Sequence, residues 1–339
     1  MDVTFVGEPT VVLPVEDSSQ IGHARRVALK EATRAGFDET DAARVALVAT
    51  ELATNVLKHA RTGEIHVAVI PGEGTRGVEI VAVDRGPGFN LADCLPDGYS
   101  TGGTRGEGLG AVKRVADVLD MYTDHRGSVL VARIYPKGFS RADLRFGASH
   151  HPLHSELVSG DGWAISMGAE VISAMMVDGL GHGPLAHDAA VAGADAWLTE
   201  AQADPVTALA AMDAGMRGSR GGAVAVARYD RKSDTLSFAG VGNIAGSLQD
   251  PEAASRGLAS HPGIVGMQAR RSRPFEFSPA HGRLLILHSD GLQSRWRMAD
   301  YPGLLQRHPA VIAAVLHRDF NRVRDDATVM VIALERPHV

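Results

Sequence analysis

From about residue 20 the chain shows two stretches of helical spacing, 20–35 and 40–60. In the second, Val45, Val48, Leu52 and Val56 make an apolar stripe at steps of three and four. The period then shortens. Ile65, Val67 and Val69 alternate as a half-buried strand does, and Val78 to Val83 forms a second strand that stops at Asp84. Glycine-rich sequence continues to Gly110. A helix is predicted from Leu109 to about Leu119, and Ser128 to Tyr135 reads as a closing strand. From Lys137 to Pro152 there is no apolar period, and Gly, Ser and Pro recur. This stretch divides the chain into residues 1–138, a linker at 139–150, and residues 151–339.

The second part starts with short strands near 163–168 and 172–177, followed by alanine-rich helices at about 184–200 and 205–217. Strands follow near 222–230, 234–240 and 284–288, then a helical stretch at 309–320 and a last strand at 327–334. Neither part alternates strand and helix as a doubly wound fold does. The expected class is α+β, with helices layered on mainly antiparallel sheets.

A length of 339 residues suits two domains, and 45% hydrophobic with 22% charged residues provides two ordinary cores. The net charge of −6 gives no sign of a nucleic-acid binder. The single cysteine, Cys94, excludes a disulfide framework, a cysteine zinc cluster and a redox pair. It also fails as a phosphatase nucleophile, because Ser100 stands where such a loop needs a phosphate-holding arginine. The longest apolar run, Ala327 to Leu334, has strand length, and Met1-Asp2-Val3-Thr4 does not begin a secretory signal. A cytoplasmic protein without membrane or nucleic-acid partners is expected. The composition is unusual in its 38 glycines, well above the ~7% of average usage.

Many of those glycines stand beside carboxylates. On helix 40–60, Glu51, Asn55 and His59 share one face at steps of four. Asp84-Arg85-Gly86-Pro87-Gly88 follows a strand, and Gly106-Glu107-Gly108-Leu109-Gly110 opens a helix. Each element alone is an ordinary solvated face or turn. Together they suit a nucleotide: free backbone N–H groups at a helix start attract phosphate, and a strand-end acid can accept from the amino group of adenine. An asparagine oxygen suits Mg²⁺ beside phosphate oxygens, and a glutamate can take a proton from an attacking hydroxyl.

In order and spacing, Glu51-x-x-x-Asn55, Asp84-x-Gly86-x-Gly88 and Gly106-x-Gly108-Leu109-Gly110 resemble the N, G1 and G2 boxes of the GHKL ATPase fold. Within it, the chain from about 10 to 137 is most similar to the small anti-sigma-factor kinases of the RsbT/RsbW type, with Gly108 to Arg114 and Ala116-Asp117 closest to RsbT. The resemblance implies Glu51 as general base, Asn55 as Mg²⁺ ligand, Asp84 as adenine contact, with Gly86 and Gly88 beside the base. Gly106, Gly108, Leu109 and Gly110 would form the phosphate lid. About 20 residues precede the first helix, too few for the hairpin of a histidine kinase, so serine/threonine transfer is expected.

The second part places aspartates at strand ends and turns: Gly160-Asp161-Gly162, Asp178-Gly179-Leu180-Gly181-His182-Gly183, Ser289-Asp290-Gly291 and Asp325-Asp326-Ala327-Thr328. Asp-Gly alone is turn chemistry. Apolar strands that deliver several carboxylates to their ends point instead to Mg²⁺ or Mn²⁺, and a pair of such ions can activate water and neutralise a phosphoryl group. There is no Gly-x-Ser-x-Gly elbow, and the 15 histidines include no His-x-His or HExxH, which leaves most of them as surface or capping residues.

This pattern resembles the metal-dependent PPM-type phosphatases of the SpoIIE/RsbX branch, over about residues 150–336, and implies an α-β-β-α sandwich. By that resemblance Asp178 bridges two ions, Asp161 and the Gly179 carbonyl hold one, and Asp290 and Asp325 hold the other. Asp326 takes a place often held by asparagine. The resulting expectation is a fused kinase and phosphatase of a bacterial partner-switching pathway. It would use Mg-ATP to phosphorylate serine or threonine on a STAS-type antagonist protein, with a sigma-factor regulator or stressosome-like complex as partner, and would hydrolyse such phosphoesters with two Mn²⁺ or Mg²⁺ ions. The alternative is a phosphatase whose first half only binds nucleotide and sequesters a regulator.

Overall fold

Two short apolar stretches open the chain, Val3–Val6 (β1) and Val11–Val15 (β2), and they go to different sheets. The computed structural model describes residues 2–88, 107–139, 143–153, 156, 158–250, 255–267 and 273–335. It forms two compact units: residues 10–144, and residues 1–9 together with 145–339.

In the first unit α1 (Ser18–Arg34) and α2 (Glu39–His59) precede the hairpin β3 (Gly63–Gly72) and β4 (Thr75–Asp84). Then come α3 (Glu107–Val115), β5 (Val118–Asp124) and β6 (Gly127–Ile134). The sheet is antiparallel in the order β2-β3-β4-β6-β5. Asp17 and Gln20 close a capping box at the start of α1, and Asp38 caps α2 by accepting from the Asp41 amide. Ala24, Ala28 and Ala32 of α1 and the Val45–Val56 stripe of α2 are buried with Ile65, Val67 and Ile80 of the sheet.

The helix expected to reach Leu119 stops at Val115, and residues 118–124 pair with β6 instead. Arg44 of α2 explains the stop. Its guanidinium donates to the carbonyls of Val115 (2.8 Å) and Tyr135 (3.0 Å), while Asp117 accepts from the Tyr135 amide at 2.8 Å. The last helical carbonyl therefore has a side-chain partner, and the chain turns into the sheet.

The second unit has two antiparallel sheets. The first runs β1-β8-β9-β10-β11-β14, from β8 (Asp161–Met167), β9 (Val171–Gly179), β10 (Gly222–Asp230), β11 (Thr235–Val241) and β14 (Phe275–Phe277). The second runs β13-β12-β15-β16-β7, from β7 (Phe146–His151), β12 (Ala245–Gln249), β13 (Ser255–Leu258), β15 (Leu284–His288) and β16 (Ala327–Ala333). Helices α4 (Pro184–Thr199) and α5 (Pro205–Gly215) cover the first sheet, and α6 (Pro309–Phe320) covers the second. Strands such as β15 and β16 are buried along their whole length, which is why they read as unbroken apolar runs. Among the described residues, no helix is long and apolar enough to cross a membrane.

Two boundaries shift. Residues 1–9 were expected with the first domain, yet β1 pairs with β8 from Val3↔Met167 to Val6↔Ala164. The expected linker 139–150 contains most of β7, which pairs with β16. Phe-Gly-Ala-Ser-His-His lacks apolar alternation because both faces are covered: a Cβ on Gly147 would lie 2.2 Å from the Ala310 Cα, so α6 packs directly on the backbone. Among the described residues, six histidines lie inside: His66, His150, His151, His288, His308 and His317 are buried, His151 stacks on His317 at 3.8 Å, and His308 caps a helix by accepting from the Ala310 amide.

Phe5 of β1 and Phe146 of β7 both pack against Trp163 of β8, at 5.9 and 6.0 Å between ring centroids. The chain thus leaves the second unit from one side of this clasp and returns at the other. We predict that Phe5→Ala destabilises this unit by about 3 kcal/mol through loss of the buried ring. In a calorimetric melt the transition that Mn²⁺ shifts should fall, and the one that ADP shifts should not. The opposite pattern would assign β1 to the wrong unit.

Candidate active sites

In the first unit α2 sets Glu51 and Asn55 one turn apart on a partly buried face. Helix α3 brings Gly108 directly over them: a Cβ there would lie 2.7 Å from Glu51 Oε2 and 3.6 Å from Asn55 Oδ1. A side chain at 108 would push the Glu51 carboxylate aside, so the glycine leaves that carboxylate room beside the helix start. Asp84 ends β4 with its Oδ1 accepting from the amides of Gly86 (2.8 Å) and Ser128 (3.3 Å), which fixes the carboxyl at the strand end. Gly86 packs on Ala60 just past α2, and Gly88, at φ +73°, lies against the Asp124 carbonyl.

The structure therefore gathers Glu51, Asn55 and Gly108 at one point and Asp84, Gly86 and Gly88 at the end of the neighbouring strand. Gly106 lies outside the described residues. Leu109 packs against the hydrophobic core, so only its backbone is left to face a ligand, and Gly110 is half-buried in α3. His59 is exposed in the last turn of α2.

In the second unit Asp178, Asp290 and Asp325 line one cleft of about 450 Å³, with Leu180, His182, Asn243, Ile264 and Arg324 in its walls. Three strands position the acids: β9 carries Asp178, Asp290 follows β15, and Asp325 precedes β16. Asp161 lies behind this wall, 4% exposed, at the start of β8 and opposite Asp178 in the β8–β9 register. Gly179 is not in the cleft wall. Its amide donates to the Gly160 carbonyl at 2.9 Å, and a Cβ there would lie 2.2 Å from the Ala186 carbonyl, which lets α4 close on β9. Among the described residues, no three Asp, Glu, His or Cys side chains close on a single point.

Hydrogen bonds sort the acids. Ser289, fully buried, donates through Oγ to Asp161 Oδ2 at 2.7 Å and accepts from the Thr328 amide at 3.0 Å. Asn243 Nδ2 donates to Asp290 Oδ2 at 2.6 Å. Asp326 accepts from the Leu153 amide on one oxygen and the Gly160 amide on the other, both at 2.8 Å. This buried carboxylate acts as a clamp, holding the approach to β8 against β16. His182 Nδ1 pairs with Glu156 at 3.0 Å on the exposed rim.

The electrostatics follow from the crowding. Burial, followed by repulsion from Asp161, Asp290 and Asp325, raises Asp178 far above the usual carboxylate range. Asp161 is raised mainly by burial, against the lowering effect of the Ser289 hydroxyl, and Asp325 is raised by burial and by Asp290. Ser289, Asp326 and Arg324 were not in the predicted site. Ser289 and Asp326 stand beside predicted ligands, but their partners lie from 39 to 173 positions away, and only the Ser-Asp-Gly and Asp-Asp motifs hint at them.

Both halves of the chain are similar to known proteins. Residues 14–134 match the model of the histidine kinase-like ATPase domain, and residues 169–335 match that of Stage II sporulation protein E (SpoIIE). Serine/threonine-protein kinase RsbT of Bacillus subtilis (strain 168) is 37% identical over 95 residues, which make up 28% of this chain and 71% of RsbT. A chain from the structure "The bacterial stressosome: a modular system that has been adapted to control secondary messenger signaling" is 25% identical with a TM-score of 0.52, over 56% of this chain and 98% of its own. RsbX in complex with magnesium is 19% identical with a TM-score of 0.49, over 54% of this chain and 92% of its own. Through its first half the chain belongs to the family of RsbT serine/threonine-protein kinases, and it carries a SpoIIE domain in its second half.

Proposed function

We propose that the chain is a partner-switching enzyme with two opposed phosphoryl-transfer sites. The first phosphorylates serine or threonine of a STAS-type antagonist protein from Mg-ATP, and the second hydrolyses such phosphoesters. The reading is carried by a pair of convergences: Gly108 on Glu51 and Asn55, and Asp178, Asp290 and Asp325 on one cleft.

In the kinase half the amides at the start of α3 and the dipole of that helix favour the anionic phosphates, and Asn55 Oδ1 offers Mg²⁺ an oxygen. Glu51 takes the proton of the substrate hydroxyl as its oxygen attacks the γ-phosphorus. The bond from that phosphorus to the β–γ bridging oxygen breaks, ADP leaves, and the proton stays on the Glu51 carboxyl until solvent removes it. Asp84 selects adenine by accepting from its amino group, held in place by the Gly86 and Ser128 amides. Glu51→Gln should lower phosphate transfer to a STAS partner by ~10²–10⁴. ATP affinity, read by calorimetry, should be retained. Equal transfer by the variant would remove Glu51 from the reaction, and no transfer by the wild type would leave a nucleotide-binding module.

In the phosphatase half the donor set fits divalent cations. All the acids are oxygen donors, and burial together with mutual repulsion raises Asp161, Asp178 and Asp325, so a cation is the natural counter-charge. Asp178, Asp290 and Asp325 would hold the ions at the cleft, with Asp161 and the Gly179 carbonyl as inner donors. Bound there, the ions supply an activated water and neutralise the phosphoryl charge. The chain's own part is to aim the carboxylates. Ser289 holds Asp161, Asn243 holds Asp290, and Asp326 ties the approach to β8 to β16.

The raised carboxyl groups set a pH dependence. A folded-state pKa above the unfolded one, here about 8 for Asp178 and about 7 for Asp161 against 3.8, stabilises below the unfolded value. That stability is lost as pH rises through the folded values. In EDTA this unit should melt higher at pH 5 than at pH 8, and Mn²⁺ at pH 8 should restore the loss. A metal-free melting temperature that rises from pH 5 to pH 8 would contradict the clustering.

A further inference from the structure

Among the described residues of the cleft wall, Arg324 alone carries a permanent positive charge. It adjoins Asp325 in sequence and shares the cleft with Asp178 and Asp290, yet no hydrogen bond or ion pair among the described residues engages its guanidinium. The side chain is exposed, whereas Asp178 and Asp325 beside it are raised first by burial and then by neighbouring carboxylates. An arginine that neutralised these acids would pair with them. This one leaves their oxygens to other partners, and its donors have no protein partner among the described residues.

The backbone before it is held in an unfavourable form. Val323 has φ 64°, a left-handed conformation that a β-branched residue adopts only under constraint. The Arg322 amide donates to the Gly291 carbonyl at 2.9 Å, and the Val323 amide donates to Asn321 Oδ1 at 2.8 Å. The first bond anchors the bend between α6 and β16 to the turn that bears Asp290, and the second closes the bend on itself. Such strain tends to be kept where a site needs it. Here it sets Arg324 and Asp325, adjacent residues, on the same wall.

We propose that Arg324 is a substrate-binding residue that takes two non-bridging oxygens of the phosphoryl group in a forked hydrogen bond. This deepens the phosphatase reading and rests on it. The planar guanidinium matches a phosphate dianion, and its rigid donors recognise a monoester where a lone point charge would not. His182, the other basic side chain in the wall, already has its Nδ1 on Glu156.

The test uses the full chain with Mn²⁺. Arg324→Ala should raise KM for a phosphoserine peptide and the inhibition constant of inorganic phosphate together, by ~10-fold or more, as expected for a lost charge-assisted pair. The value of kcat should stay within a few-fold, and Arg324→Lys should fall between. Removing a cation beside the acids should leave the Mn²⁺ concentration for half-maximal stabilisation in a melt unchanged or lower. A merely structural role would weaken metal binding and stability instead, and that result overturns the proposal. An unchanged inhibition constant with a raised peptide KM also overturns it, since Arg324 would then read an acidic side chain of the peptide. If the wild type hydrolyses nothing, the phosphatase reading falls. Calorimetric titration of inorganic phosphate into wild type and Arg324→Ala then decides the binding role by itself.

Discussion

Like charges gathered at the ends of buried strands are the constraint around which the SpoIIE half is organised. Asp161 and Asp178 face each other across the β8–β9 ladder, and Asp290 and Asp325 arrive from the second sheet. Without a counter-charge they resist ionisation, as the raised pKa values of Asp161, Asp178 and Asp325 express. The surrounding structure holds them together against this cost. Asp326 gives both carboxyl oxygens to backbone amides, and Ser289 bridges Asp161 to β16 through the Thr328 amide. A two-sheet sandwich suits this work, because strands buried on both faces are stiff and their ends converge.

The RsbT half solves a different problem with absent atoms. Here a helix start comes close to a carboxylate, and Gly108 leaves room for Glu51 beside it. Arg44 then limits the same helix at its other end, taking the Val115 carbonyl, so that α3 is short and β5 can follow. This half is inserted in the chain between β1 and β7 of the other. Both of those strands meet on Trp163, two residues along β8 from Asp161.

The helices and central strands were legible because their faces differ: the stripe of α2 and the runs of β9, β10, β15 and β16 show their burial directly. The motif carboxylates and glycines were legible for the same local reason, each being set beside a strand end or helix start. What escaped depends on distant partners. β7 carries Gly147 and two histidines and is a strand only because β16 and α6 cover it, and β1 is four residues that need β8. β12 and β13 are too short and polar to show a period, and β14, Phe-Glu-Phe, is too short. In the site, the hydroxyl that fixes Asp161 comes from Ser289 just beyond β15, a pairing that the Gly160-Asp161-Gly162 motif does not show. The clamp role of Asp326 rests on amides of Leu153 and Gly160, a separation that no motif encodes.

The central claim is that one chain both adds and removes the same phosphate. The direct measurement is inorganic phosphate released from ATP in the presence of a STAS partner, with Mg²⁺ and Mn²⁺ supplied. The account predicts release that requires the partner's phosphorylated hydroxyl and is lost in both Glu51→Gln and Asp178→Ala, with phosphorylated partner accumulating only in the second variant. Release that persists in either variant, or that ignores the partner, would contradict it.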